Sequence, residues 1–195
     1  MKEKIKKISK DKLTFQQIGK TFVEIMETSM AESRKKEVQS IMKLIEEPKP
    51  RVSLDHVESE LFYLDIYLIY QVVLSRFKDY LDEIDESFKN ELEKSLKQQK
   101  SEGEALTTMI NVNKTLVDYM QEYNNMIPKS VDSSEGLFKF SHYIAKKVLG
   151  SEEGDDVRYV IYMNSYCMGR LTYLADFIDN FIELIPKNQN YERKN

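Results

Sequence analysis

The chain has 195 residues, of which 41% are hydrophobic and 32% are charged, which is enough for one domain with a sizeable core. Its net charge of -4 gives no reason to expect a nucleic-acid partner, and its single cysteine, Cys167, excludes an intrachain disulfide or a cysteine metal cluster. The few glycines and prolines, six and four, predict long helices with short connections, and therefore one all-α domain over residues 1–195. No signal-peptide pattern follows Met1, so we expect a cytoplasmic protein.

The N-terminal part of the chain combines a basic tail with the start of the first helix. Residues 1–13 contain six lysines and predict a solvated basic tail. Thr14 and Gln17 form the pattern of a capping box, which predicts a helix start. The apolar faces before and after the polar run 32–37 are rotated by about 120° from each other on a helix. We therefore expect a kink or break near Ser33, or a helix that changes its packing partner there.

The stretch Val57–Phe77 is apolar on nearly every side of a helix, which is typical of a helix surrounded by other elements. Its densest part, 61–74, contains Asp65 and Gln71 and is shorter than the roughly 20 residues that cross a bilayer. We therefore expect a buried central helix and no membrane insertion.

An apolar row with heptad spacing continues beyond Phe77 on an otherwise charged helix. It predicts a long central helix over about 54–100, followed by a turn at 101–104. A second row then returns in alternating steps of three and four residues: Leu106, Met109, Asn113, Leu116, Met120, Tyr123 and Ile127. The two rows predict a projecting antiparallel coiled-coil hairpin over about 78–127. Asn113 either lies in its seam, where it favours one register, or reaches water at a loose end of the hairpin.

Two more helices are predicted near the C-terminus, at about 134–149 and about 155–185, before a polar tail at 186–195. Both have broad apolar faces that can cover the inner half of the central helix. The complete prediction is a bundle of about five helices, with the hairpin as an extension.

The two histidines, His56 and His142, bear on the possible metal sites. A di-iron carboxylate bundle needs Glu-x-x-His pairs on two helices, and neither histidine has a glutamate three residues before it. The chain also lacks a glycine-rich phosphate loop. We therefore expect neither a metal nor a cofactor.

Arg51 and His56 lie at the two ends of the segment RVSLDH. This segment resembles the Arg-x4-His motif of HEPN ribonucleases, which are all-helical proteins. The resemblance, which covers six residues, implies that Arg51 and His56 cut RNA across a dimer; arginine can hold a phosphate and histidine can transfer a proton. The alternative is a capping-region arginine and a partly exposed histidine, and without ribonuclease activity we expect no nucleic-acid partner.

Asp65 is the polar residue that lies deepest within an apolar run. One interpretation is a buried ion pair with Arg76, Arg170 or a lysine of a neighbouring helix, because an unpaired buried carboxylate costs several kcal/mol. The other is a small-ligand pocket, for which the candidate residues are Asp65, Tyr67, Asn164 and Arg170.

Three functional hypotheses follow from these patterns. The leading one is a non-enzymatic helical interaction or adaptor protein that presents the hairpin to a protein partner or forms a homodimer. The second is a HEPN-like ribonuclease that uses Arg51 and His56. The third is a small-molecule-sensing bundle with its pocket at Asp65.

Overall fold

The computed structural model describes residues 15–44, 52–77, 80–126, 133–150 and 155–182. Within these ranges the chain forms seven α-helices and no strand, so the all-α fold class is confirmed. The predicted tails at 1–13 and 186–195 lie outside the described residues. The helices are α1 (Phe15–Glu27), α2 (Ser29–Leu44), α3 (Leu54–Arg76), α4 (Leu81–Gln99), α5 (Glu102–Met126), α6 (Ser133–Leu149) and α7 (Val157–Ile182).

Helix α3 is the centre of the bundle, as its sequence predicts. It contacts α1, α2, α5, α6 and α7, and its middle is buried on every side, including Leu61, Leu64, Ile66, Leu68 and Ile69. Ser53 caps its N-terminus by accepting a hydrogen bond from the His56 backbone N–H. Among the described residues, no helix combines the length and hydrophobicity that a membrane crossing requires.

The prediction of one continuous helix over about 54–100 is wrong. Helix α3 ends at Arg76, Phe77 leaves the helical conformation with φ -127° and ψ 36°, and α4 begins at Leu81. The break lets α4 lie along α1, where its row of Ile84, Phe88, Leu92 and Leu96 is buried. Burying each such side chain stabilises by about 1.5–3 kcal/mol, which exceeds the roughly 0.5–1.5 kcal/mol of each backbone hydrogen bond lost at the break.

The chain does reverse direction where the turn was predicted, between α4 and α5. Ser101 caps α5, and Glu104 accepts a hydrogen bond from the Ser101 backbone N–H at 3.0 Å, which completes a capping box. However, α4 packs along α1 as well as against α5, so the two helices belong to the bundle. A projecting coiled-coil hairpin over 78–127 is therefore not confirmed.

The buried face of α5 differs from the predicted seam. The buried residues are Ala105, Val112, Leu116 and Tyr119, whereas Leu106 and Asn113 are exposed. Packing against α6 explains the rotation, because the Tyr119 ring meets Phe140 and Tyr143 edge to face. These aromatic contacts turn the side chain of Tyr119 inward, and Leu106 turns outward as a result.

The first predicted helix is divided, as expected, but at Thr28 and not near Ser33. Backbone hydrogen bonds continue through the kink, from Thr28 to Glu24 and from Glu32 to Thr28. The Thr28 hydroxyl also donates to the Glu24 carbonyl, a bond that often bends helices. The kink gives α1 and α2 different partners: α1 lies mainly on α4, and α2 lies on α3.

Candidate functional site

A buried cluster of charged side chains lies where α2, α3 and α7 meet. Asp65 of α3 is 0% exposed, and Arg34 Nη1 donates to its Oδ2 at 2.7 Å. On the other oxygen, Tyr166 Oη donates to Oδ1 at 2.7 Å, and Arg170 Nε lies 3.2 Å from Oδ1. One carboxylate on the central helix therefore connects two arginines from two neighbouring helices.

Further contacts hold the two guanidinium groups in place. Arg170 Nη2 donates to the Met30 carbonyl and to Tyr166 Oη, each at 3.2 Å. The Arg34 guanidinium lies over the Phe62 ring, 5.2 Å from its centroid, which is a cation–π contact. The cluster thus fixes the register of α2 and α7 on α3.

Burial and charge have opposing effects on this cluster. Burial raises the pKa of Asp65, and Arg170, Arg34 and the hydrogen bond from Tyr166 oppose that rise. Burial also lowers the pKa of Arg170, but Asp65, Tyr166 and Glu37 together raise it above its ordinary value. Two guanidinium groups therefore share one buried carboxylate, and the half-buried Glu37 is a second acidic group that acts on Arg170.

The structure brings together only part of the predicted candidate set. The ion pair between Asp65 and Arg170 is present, while Arg76 pairs at the surface with Asp179. Arg34 was missed because it lies in the polar run 32–37. The missed signal was its spacing, since the buried row of α2 is Met30, Arg34, Val38 and Ile41.

Tyr67 and Asn164, the other two ligand-site candidates, contact different groups. Tyr67 packs against the rings of Tyr119 and Phe140, and its hydroxyl has no hydrogen-bond partner among the described residues. Asn164 Oδ1 accepts a hydrogen bond from the Ser141 hydroxyl at 3.2 Å. Of the four candidates, only Asp65 and Arg170 therefore belong to the buried cluster.

A cleft of about 320 Å³ lies between α2 and α7, directly beside the buried cluster. We call it the Arg170 cleft. Arg170 and Tyr166 connect it with the buried charges. Its lining residues are Ser29, Ser33 and Glu37 of α2, and Ser165, Tyr166, Gly169, Arg170 and Tyr173 of α7.

Both histidines have structural partners, and only His56 of the predicted ribonuclease pair lies in the part of the chain that the structure describes. His56 Nε2 lies 3.0 Å from the Lys147 carbonyl, so the imidazole connects the start of α3 with the end of α6. Arg51 lies outside the described residues. His142 pairs with Asp155 at the surface, and the described residues contain no group of three or more side chains suited to a metal ion.

A row of apolar side chains on α5 faces away from the core. We call Leu106, Ile110 and Val117 the outer row of α5; they are 60%, 57% and 52% exposed. At 100° per residue they lie within an arc of about 40°, and the exposed Asn113 lies about 20° beyond its edge. A second set of three exposed apolar side chains lies on α7: Val157, Ile161 and Met168 are 58%, 55% and 46% exposed.

Comparison with known proteins finds no family model, no curated protein and no solved structure that matches this chain. The function is therefore inferred from its residues and their geometry.

Proposed function

We propose that the protein is a non-enzymatic helical interaction protein that binds a second copy of itself through the outer row of α5. The observation that carries the proposal is the exposure of three aliphatic side chains on one helix whose opposite face is already buried. Single exposed apolar residues are ordinary, but several on one side of a helix are typical of a surface that another element covers.

The spacing of the row suits a helical partner. Leu106, Ile110, Asn113 and Val117 follow one another in steps of four, three and four residues, which is the spacing of a coiled-coil seam. A partner helix needs the same spacing to interdigitate with it. A second copy of α5 has that spacing, and a two-fold axis makes one surface complementary to itself.

The charge pattern also supports pairing between identical copies. From Ala105 to Val117 the only charged residue is Lys114, in a chain of which 32% is charged. Depletion of charge is a property of interface cores, and it removes the like-charge repulsion that identical helices otherwise meet. Asn113 supplies a polar group within the row, and a buried asparagine favours one register over others.

The experiment is light scattering coupled to size-exclusion chromatography over a range of protein concentrations. We expect a dimer that becomes monomeric in Ile110→Glu, because that change places a charge in the paired row. Burial of one isoleucine contributes about 1.5–3 kcal/mol, so the dissociation constant rises by about tenfold or more.

The matched control is Ile161→Glu on α7, where the same change is made at a side chain that is 55% exposed. We expect this variant to dimerise like the unchanged protein. A monomer at every concentration, or a dimer lost in Ile161→Glu and kept in Ile110→Glu, would contradict the proposal.

A further inference from the structure

The Arg170 cleft contains a buried cation that reaches a solvent-filled space. Arg170 is 8% exposed and lines the cleft. Its Nη2 donates to the Met30 carbonyl and to Tyr166 Oη, and its Nε lies 3.2 Å from Asp65 Oδ1. Nη1 is therefore the nitrogen that remains available to bind a ligand in the cleft. Because Asp65 is shared with Arg34, it does not fully balance the charge of Arg170.

Gly169 gives a second, independent reason to regard the cleft as a site. It lies in the interior of α7, where glycine costs about 1 kcal/mol relative to alanine. A Cβ atom at this position would have no described atom within 4 Å, so packing within the chain does not require glycine here. The missing side chain instead leaves open space in the cleft, which Gly169 lines.

The opposite wall of the cleft carries a negative charge. Glu37 of α2 is half-buried and lines the cleft, and its Oε2 accepts a hydrogen bond from Tyr162 Oη. Its Oε1 is therefore the oxygen left for a ligand. The cleft is thus lined by a guanidinium on α7, a carboxylate on α2, and the hydroxyl groups of Ser33 and Ser165.

We propose that the Arg170 cleft binds a small zwitterion of the α-amino-acid class. Its carboxylate meets Arg170 Nη1, and its ammonium group meets Glu37 Oε1. A simple anion is repelled by Glu37 and a simple cation by Arg170, whereas a zwitterion pairs with both. The volume of about 320 Å³ lies at the lower end of the roughly 300–1,000 Å³ of small-molecule sites, which suits a molecule of this size.

The test uses amide NMR spectra of the full chain, titrated separately with L-leucine, L-serine, L-glutamate and L-lysine at millimolar concentrations. For leucine, isocaproate is the matched acid without the amine, and isoamylamine is the matched amine without the acid. We expect at least one amino acid to shift the amide signals of Ser165 and Gly169 while that of Gly103, on α5, stays in place. The matched acid and amine of leucine should bind about tenfold more weakly than leucine, which is the loss of one charge-assisted hydrogen bond.

The second test of amino-acid binding uses variants of cleft residues that lie outside the buried charge cluster. Glu37→Gln should weaken amino-acid binding by about tenfold, because it removes the partner of the ammonium group. Gly169→Leu should abolish binding by filling the cleft, while Gly103→Leu, at a glycine with equally open surroundings, should not change it. Circular dichroism checks that each variant is folded.

Three results would overturn the proposal. The first is that no amino acid shifts the signals of cleft residues, and the second is that isocaproate binds as tightly as leucine. The third is that Glu37→Gln binds amino acids with unchanged affinity. Equal binding of isocaproate would instead identify a site for simple carboxylates.

Discussion

Asp65 of α3 is the buried carboxylate that Arg34 and Arg170 share. Its position within the apolar run of α3 identifies it as a buried carboxylate that needs a partner. Arg170 could be named as that partner because it lies on the packed side of α7. Arg34 could not be named in advance, because its neighbours in sequence are mostly charged and exposed. Only the packing of α2 on α3 shows which side of α2 faces inward.

Replacing Asp65 by asparagine should strongly destabilise the fold. The asparagine keeps the shape but removes the buried anion that the two guanidinium groups share, so we expect a loss of about 3–5 kcal/mol in the free energy of unfolding. Urea unfolding followed by circular dichroism measures the change.

The matched control for that variant is Asp179→Asn. It breaks the ion pair with Arg76, whose side chains are 44% and 53% exposed, and such pairs contribute about 0–1 kcal/mol. If the two variants lose similar stability, the account of the buried cluster is wrong.

Cys167 should be unreactive in the folded protein. Burial, with a smaller contribution from Asp65, raises the pKa of its thiol from 9.0 to about 12, which lowers the thiolate fraction by about a thousandfold at mildly alkaline pH. Since the pKa is higher in the folded state, the protonated thiol stabilises the fold below the unfolded pKa, and this contribution is lost as the pH rises towards 12.

Alkylation with iodoacetamide, followed by mass spectrometry, measures this protection. We expect slow labelling of the native protein and rapid labelling in urea. Equal rates in the two states would show that Cys167 is accessible in the native protein.

At the scale of helices, the sequence predicts which segments are helical better than it predicts how they pack. The apolar pattern of 54–76 identifies the central helix, because a helix that is apolar on all sides is stable only when other helices surround it. The row that continues past Phe77 is equally compatible with a straight helix and with a bend onto α1. Local spacing does not distinguish the straight helix from the bend. The outcome depends on packing against α1, which is distant in sequence.

The orientation of α5 was missed for a related reason. Leu106 and Ile110 are as apolar as the buried Val112 and Leu116, so hydrophobicity alone is compatible with burial of either face of α5. Aromatic packing of Tyr119 on α6 decides between them.

The close approach of α1 and α4 should depend on Gly19. A Cβ atom at this position would lie 2.7 Å from the backbone nitrogen of Phe88 and would also overlap the Ser87 hydroxyl. We therefore expect Gly19→Ala to lower the free energy of unfolding by about 1–3 kcal/mol, because the helices must move apart.

Gly169→Ala is the control for this change, since a Cβ atom there meets no described atom within 4 Å. It should raise the stability by up to about 1 kcal/mol through helix propensity alone. Thermal or urea unfolding compares the two, and a stabilising Gly19→Ala would show that α1 and α4 are not in close contact.

Composition and periodicity are sufficient to predict that the whole molecule is an all-α bundle. Of the four candidate ligand residues, Asp65 and Arg170 lie in one buried cluster. The cleft and the outer row of α5 were not predictable, because each is defined by what remains uncovered after the helices pack. Leu106 was assigned to an internal seam and is instead one of the most exposed apolar residues among those described. Its proposed role is pairing with a second copy and not closing the hairpin.

Hydrogen–deuterium exchange at low and high protein concentration tests this pairing most directly, because it locates the covered surface along the chain. We predict that peptides from α5 exchange more slowly at high concentration, and that this change disappears in Ile110→Glu. Peptides from α7 should exchange equally at both concentrations. Concentration-dependent protection confined to α7, or none in α5, would contradict self-association through the outer row.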